Sequence, residues 1–241
     1  MIINPLTNDF IRIPFPDRID AIRDAIAEEA IRAGRDPSEI SLMAVTKTVP
    51  PEKVNLAIEK GITLLGENRV QEMLSKYESY RAGSHIHFIG GLQTNKVKYI
   101  VGKVEMIESV DSLRLAEEIG KRSVAAGVVT DILCEINIGG EESKGGIAPF
   151  AAEELIRQMA EIPGIHLRGL MTIPPYCEDE KVVESFFDKT HALLLDIRAK
   201  NIDNIDMDVL SMGMSHDFLP AVRHGSTVLR LGRILFGERI Y

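Results

Sequence analysis

Cysteine is almost absent: the 241-residue chain holds only Cys134 and Cys177. One lies in an apolar run that reads as a strand, the other in a polar loop. Thiols so placed build no disulfide framework, which points to a reducing cytoplasm. Surplus positive charge is missing as well. With 28 Lys+Arg against 36 Asp+Glu, the net charge is -8. That excludes broad nucleic-acid binding, which needs a basic face to displace counterions. It also argues against an anionic membrane surface as partner, and no apolar run approaches the length of a membrane span. The N-terminal extension, residues 1–16, carries Ile2, Ile3, Phe10, Ile11 and Phe15. Asn4, Pro5, Asn8, Asp9 and Pro14 interrupt these, and no cationic start precedes them, so the segment does not read as a secretory signal. No linker, low-complexity tract or charge block divides the chain, and residues 1–241 read as a single domain.

What is present is a regular alternation. Asp17 to Gly34 reads as a helix, with Ile19, Ile22, Ile26, Ala30 and Ala33 on one face. A short apolar strand follows within Ser41 to Thr48, stopped by Val49-Pro50-Pro51. Further strands are expected at Ile62–Leu65, Ile86–Ile89, Val104–Ile107, Asp131–Ile138, Leu167–Met171, Met207–Leu210 and Thr227–Leu231. Helical patterns lie between them: Pro51–Gly61, Val70–Tyr80, a helix capped by Thr94, one capped by Asp111 or Ser112, Pro149–Ala160, Val182–Lys200 and about His216–Arg223. A last short segment, Ile234–Glu238, closes the chain. Helical crossovers imply parallel pairing. Eight such units in this length predict an α/β fold, a single (β/α)8 TIM barrel, rather than an open five-stranded sheet. The chain has no long helix after strand eight, so the extra N-terminal helix is expected to cover that seam.

In such barrels chemistry sits at the C-terminal ends of the strands. After strand one comes Lys47, either a solvated strand-end charge or a nucleophilic amine aimed into a pocket. Glu67 and Asn68 follow strand two, and Gly90-Gly91 strand three. Asn137 and a glycine-rich loop, Gly139 to Gly146, follow strand five; within it Glu141 to Gly146 is either a lid over a cofactor or merely flexible. Ser211-Met212-Gly213-Met214-Ser215 follows strand seven, and Arg230-Leu231-Gly232-Arg233 ends strand eight. Loops after strands seven and eight recur as phosphate sites in barrels, and glycine there permits close backbone approach. A lysine facing such a site suits an aldolase that forms a Schiff base with a sugar. It equally suits a protein that holds pyridoxal phosphate (PLP) through its aldehyde.

Six stretches carry a resemblance: AVTKT at 44–48, GENRVQE at 66–72, HFIGGLQTNK at 87–96, RGLMTI at 168–173, LSMGMS at 210–215 and LRLGRILFGER at 229–239. Together they resemble the pyridoxal phosphate homeostasis protein family, from about Ile22 to the C-terminus. The resemblance implies a barrel of PLP fold type III, like the N-terminal domain of alanine racemase, with PLP as cofactor. It implies that Lys47 holds PLP as a Schiff base. Ser211, Met212, Gly213 and Ser215 would line the phosphate, Met212 and Gly213 through the backbone. Gly232 and Arg233 would add amides, Arg233 standing where many relatives have threonine. Asn68 would sit beside the ring and Arg230 would face the pyridine nitrogen.

An arginine only donates, so a ring nitrogen bonded to it is unprotonated and the ring is a weaker electron sink. Alanine racemase also uses a second domain and an opposing tyrosine, for which a chain ending at Tyr241 has no room. The expectation is a monomeric PLP carrier with little or no turnover that releases PLP to PLP-dependent apoenzymes. The alternatives are a racemase-like PLP enzyme and a cofactor-free aldolase. The remaining charged groups read as ordinary ones. His85 and His87 share a strand face without a third metal ligand, and no metal site is expected. His216 reads as a helix start. Lys96, Lys98 and Lys103 read as a solvated helix face, and Glu178-Asp179-Glu180 as a surface loop.

Overall fold

Eight parallel strands pair in chain order and close on themselves, β1 through β8 with β8 returning to β1. They are β1 Ser41–Val45, β2 Leu64–Glu67, β3 His85–Phe88, β4 Met106–Val110, β5 Thr130–Ile136, β6 Ile165–Thr172, β7 Ile205–Ser211 and β8 Val228–Leu231. The computed structural model describes residues 9–141 and 143–237. The expectations placed on Ile2, Ile3, Glu142, Glu238 and Tyr241 lie outside those residues. The helices are α1 Phe15–Arg32, α2 Pro51–Glu59, α3 Val70–Lys76, α4 Leu113–Ala126, α5 Ala152–Ala160, α6 Glu180–Ala199, α7 Phe218–Arg223 and α8 Arg233–Phe236. The chain is thus the (β/α)8 barrel that the alternation predicts.

Strand periodicity sorts the core into two compartments. Ala44, Leu65, Ile107, Ile132 and Leu229 face outward, into the layer shared with the helices. Met43, Val45, Ile89 and Val228 pack on one another in the barrel interior. Met106, Leu133 and Met171 form a second interior cluster. One glycine is needed for the sheet to close: at Gly169 on β6 a Cβ would lie 1.8 Å from the Val209 carbonyl oxygen. The pairing register also shifts there, between Leu167 and Gly169.

The seam between β8 and β1 is covered as the sequence predicts. Arg18 of α1 donates to the carbonyls of Leu235, Ile13 and Ile11, and Lys53 of α2 donates to that of Phe236. Phe15 stacks on Phe236 with ring centroids 5.9 Å apart. The N-terminal helix therefore stands where the short α8 leaves the barrel wall open.

Several boundaries differ from the expectation. The segment after β3 is a 3-10 helix, Thr94–Tyr99, entered through Gln93 rather than capped by Thr94. Ser112 precedes α4 but makes no side-chain cap, and α7 begins at Phe218, not His216. Strand β2 continues through Glu67, and β4 runs from Met106 to Val110 rather than from Val104 to Ile107. The last two have one cause. A glutamate reads as the end of a buried strand, yet Glu67 and Glu108 are both fully buried. Each is tolerated because polar partners from other strands and helices meet it there.

Candidate functional site at the barrel mouth

Lys47 is half-buried, two residues beyond the last strand residue of β1. It is the second residue of a turn closed by the Val49 amide donating to the Thr46 carbonyl at 3.0 Å, directly beyond the strand whose Met43 and Val45 line the interior. The register sets its neighbours. Val45 pairs with Gly66 and the Thr46 amide donates to the Gly66 carbonyl at 3.0 Å, so the turn that holds Lys47 leaves the barrel beside the Glu67–Asn68 segment. Ala44 pairs with Leu231, so on its other side Lys47 lies beside the chain that follows Gly232. Lys47, Asn68 and the loop after β8 therefore share one rim. Asn68 Oδ1 is buried there with no hydrogen-bond partner among the described residues.

The loops after β7 and β8 meet on the same side. Arg230 N–H donates to the Gly213 carbonyl at 3.0 Å, and Ile234 N–H donates to Ser215 Oγ at 3.2 Å. Gly213 has φ +91°, and a Cβ would lie 2.5 Å from that of Ala221, so only glycine makes this turn. Asp217, buried, accepts from the Met214 amide and holds the loop. Among the described residues, the amides of Gly213, Ser215, Gly232 and Arg233 donate to no protein acceptor. Four such donors on two adjoining glycine loops are suited to an anion.

Two of the residues expected at the phosphate have protein partners. The Met212 amide donates to the Val228 carbonyl, and its own carbonyl accepts from Ser226 Oγ at 2.7 Å. Met212 has no backbone group left to offer. Ser211 is fully buried; its Oγ donates to Glu108 Oε2 at 2.6 Å and accepts from Arg230 Nη1 at 2.6 Å. Ser211 supports Arg230 from below the mouth. Arg233 is exposed at the first position of α8.

Arg230 belongs to a buried polar chain that the sequence does not reveal. Its Nη2 donates to the Thr172 carbonyl at 2.7 Å. Through Ser211 it reaches Glu108 of β4, whose Oε1 meets His87 Nδ1 of β3 at 2.7 Å. Burial alone would raise the Glu108 carboxyl. The hydrogen bond and charge of His87, then the charge of Arg230 and the Ser211 hydroxyl, outweigh it and hold the group below the usual carboxylate range. Burial lowers the Arg230 pKa, opposed by Glu108, Asp217 and Glu135. His87 is thus a carboxylate partner, and His85 pairs with Glu105 on the outside. His216 stacks on Tyr176 with ring centroids 5.5 Å apart.

Two carboxylates stand near the glycine-rich loop after β5. Glu135 of β5 and Asp111 after β4 stand close enough that a Cβ on Gly145 would lie 3.5 and 3.7 Å from their oxygens. Burial, then the Asp111 charge, pushes Glu135 up to about 7, with Arg230 pulling the other way. A carboxyl raised on folding stabilises the fold while protonated. That contribution is complete below the ordinary value of 4.5 and is lost as pH rises to about 7. Glu135→Gln should therefore stabilise the protein by about 2 kcal/mol at pH 8 and by little at pH 5. Urea unfolding at both pH values measures this; an equal gain at both would mean that packing, not ionisation, is the cause.

The family model for the alanine racemase N-terminal domain matches residues 19–240. The chain is 44% identical over 226 residues to the pyridoxal phosphate homeostasis protein of Aquifex aeolicus, covering 93% of this chain and 98% of that one. It is 37% identical over 224 residues to the protein of the same name from Escherichia coli K12, covering 91% and 94%. The solved structure of PipY from Synechococcus elongatus with PLP bound superposes with a TM-score of 0.77 at 29% identity, covering 88% of this chain and all of that one.

Proposed function

The chain belongs to the pyridoxal phosphate homeostasis protein family, built on the alanine racemase N-terminal domain, and from that premise we propose that it holds PLP at the barrel mouth as a carrier with little or no turnover. One observation carries the reading: Lys47, the unpartnered Asn68 Oδ1 and four amides without acceptors converge on one rim of the barrel. The residues present fit the group. PLP offers an anion for the glycine loops, polar ring substituents for Asn68 and an aldehyde for the amine.

When bound, PLP supplies an aldehyde carbon that a primary amine attacks, with one water leaving. Lys47 provides the amine. Gly213, Ser215, Gly232 and Arg233 hold the phosphate through their amides. Arg230 bonds the ring nitrogen through N–H groups not engaged by Ser211 and Thr172. A guanidinium donates and does not accept, so Arg230 withholds a proton from that nitrogen. The buried chain through Ser211, Glu108 and His87 keeps the guanidinium rigid and charged. This weakens electron withdrawal and favours storage over turnover. Release to PLP-dependent apoenzymes, in a reducing cytoplasm and from a monomer, completes the proposal. The free thiols Cys134 and Cys177 support that compartment. Among the described residues no helix is long and apolar enough to cross a membrane.

Incubation with PLP, borohydride reduction and peptide mapping test the site; the label is expected on Lys47, and a label elsewhere ends this assignment. Racemisation and transamination assays test the carrier role. Turnover at ordinary enzyme rates would overturn it and direct attention to Glu135.

A further inference from the structure

The peptide groups on both sides of the Lys47 Cα are held from outside the barrel. On one side the Thr46 carbonyl accepts from Lys76 Nζ at 2.9 Å. On the other the Thr48 amide donates to Glu72 Oε1 at 2.5 Å. Lys76 and Glu72 stand one turn apart on α3, with Nζ and Oε1 2.5 Å apart. Thr46 Oγ1 in turn donates to Glu67 Oε1 at 2.7 Å, and the Tyr80 hydroxyl donates to the same oxygen. Lys76 Nζ lies 3.9 Å from it. Lys76 is buried, which is unusual for a lysine without a specific partner.

The backbone just beyond these contacts turns sharply, the Val49 amide donating to the Thr46 carbonyl at 3.0 Å. Thr48 has φ +62°, a left-handed conformation that a β-branched residue avoids. Such a conformation persists where the surroundings over-determine it. Peptide groups are planar, so a residue's direction is set by two dihedrals. Fixing the plane before Lys47 and the plane after it fixes both, and with them the Cα–Cβ vector.

We propose that Lys76 and Glu72 are positioning residues, which grip the two peptide groups flanking Lys47 and so aim its amine into the barrel mouth. The inference rests on Lys47 being the attachment point for PLP. The pair touches neither phosphate loop, so its effect is confined to the amine. A ligand held only by the loops is insensitive to the pair, whereas covalent uptake requires the amine at attack distance.

Glu72→Ala removes the Thr48 acceptor with a residue that favours helix, and Lys76→Met removes the Thr46 donor. Two titrations are made on each variant and on the parent protein. One uses PLP, read by visible absorbance and borohydride-fixed label on Lys47. The other uses pyridoxine 5′-phosphate, which lacks the aldehyde, read by calorimetry. Covalent uptake should weaken on the order of tenfold in each variant, while pyridoxine 5′-phosphate binds as before. Equal weakening of both ligands would show a merely structural role and overturn the inference. Unchanged uptake in both variants would overturn it too, with the reading of the site intact. Absence of label on Lys47 in the parent protein would overturn the reading of the site itself. Should Lys76→Met fail to fold, Glu72→Ala decides alone.

Discussion

Lys47→Ala is expected to abolish the visible band that appears on adding PLP and to leave no borohydride-fixed label on the protein. Apparent affinity should fall on the order of a hundredfold, as for an interaction worth about 3 kcal/mol. Binding of inorganic phosphate should persist, because the amides of Gly213, Ser215, Gly232 and Arg233 belong to loops that Lys47 does not build. Lys47→Arg separates charge from chemistry. It keeps a cation on the rim, but a guanidinium stays protonated and does not condense with an aldehyde. The two variants should therefore behave alike in the absorbance experiment. A visible band retained by either would mean that another amine takes up the cofactor, and the convergence of amine and anion loops would lose its meaning.

The second large effect is on stability. Arg230→Met should destabilise the barrel by about 3–5 kcal/mol, the usual consequence of removing one partner from a buried charge network. Arg230 is only 3% exposed. Its loss leaves Ser211 Oγ without a donor, removes the charge that helps hold Glu108 ionised, and frees the Thr172 carbonyl. Urea unfolding provides the measurement. Pairing Arg230→Met with Glu108→Gln should recover part of the loss, since the second change removes the charge that the first leaves uncompensated. Additive losses would show that Arg230 and Glu108 are not energetically coupled, in spite of the serine between them. The same variant should weaken PLP uptake, and comparison with pyridoxine 5′-phosphate separates lost ring contact from a loosened fold.

The motifs at the mouth were readable because they are local. Lys47 follows an apolar run that a Pro-Pro turn terminates, and its place at the C-terminal end of the first strand follows from counting strands. Gly213 announces a turn with positive φ, and its place after strand seven follows from counting strands. Asn68 follows strand two in the count of strands, and only resemblance puts it beside a ring; its unpartnered oxygen appears only in three dimensions. Ser211 and Met212 lie within the same short motif but serve the interior and the strand ladder. Sequence adjacency could not separate them from Gly213 and Ser215, because which backbone group faces a ligand depends on the neighbouring strand.

What the sequence determined by itself is the barrel, the order of its strands and the covered seam. Each of these follows from apolar periodicity and turn residues, which act over a few positions. Only the tertiary structure decided which charges are buried and with whom: Glu108 with His87, Ser211 and Arg230, Glu67 with Thr46 and Tyr80, Glu135 with Asp111. Along the chain a glutamate in a strand looks like a boundary. It becomes an interior residue when partners far away in sequence supply the hydrogen bonds and charge that water would otherwise provide, and no local pattern records such a meeting.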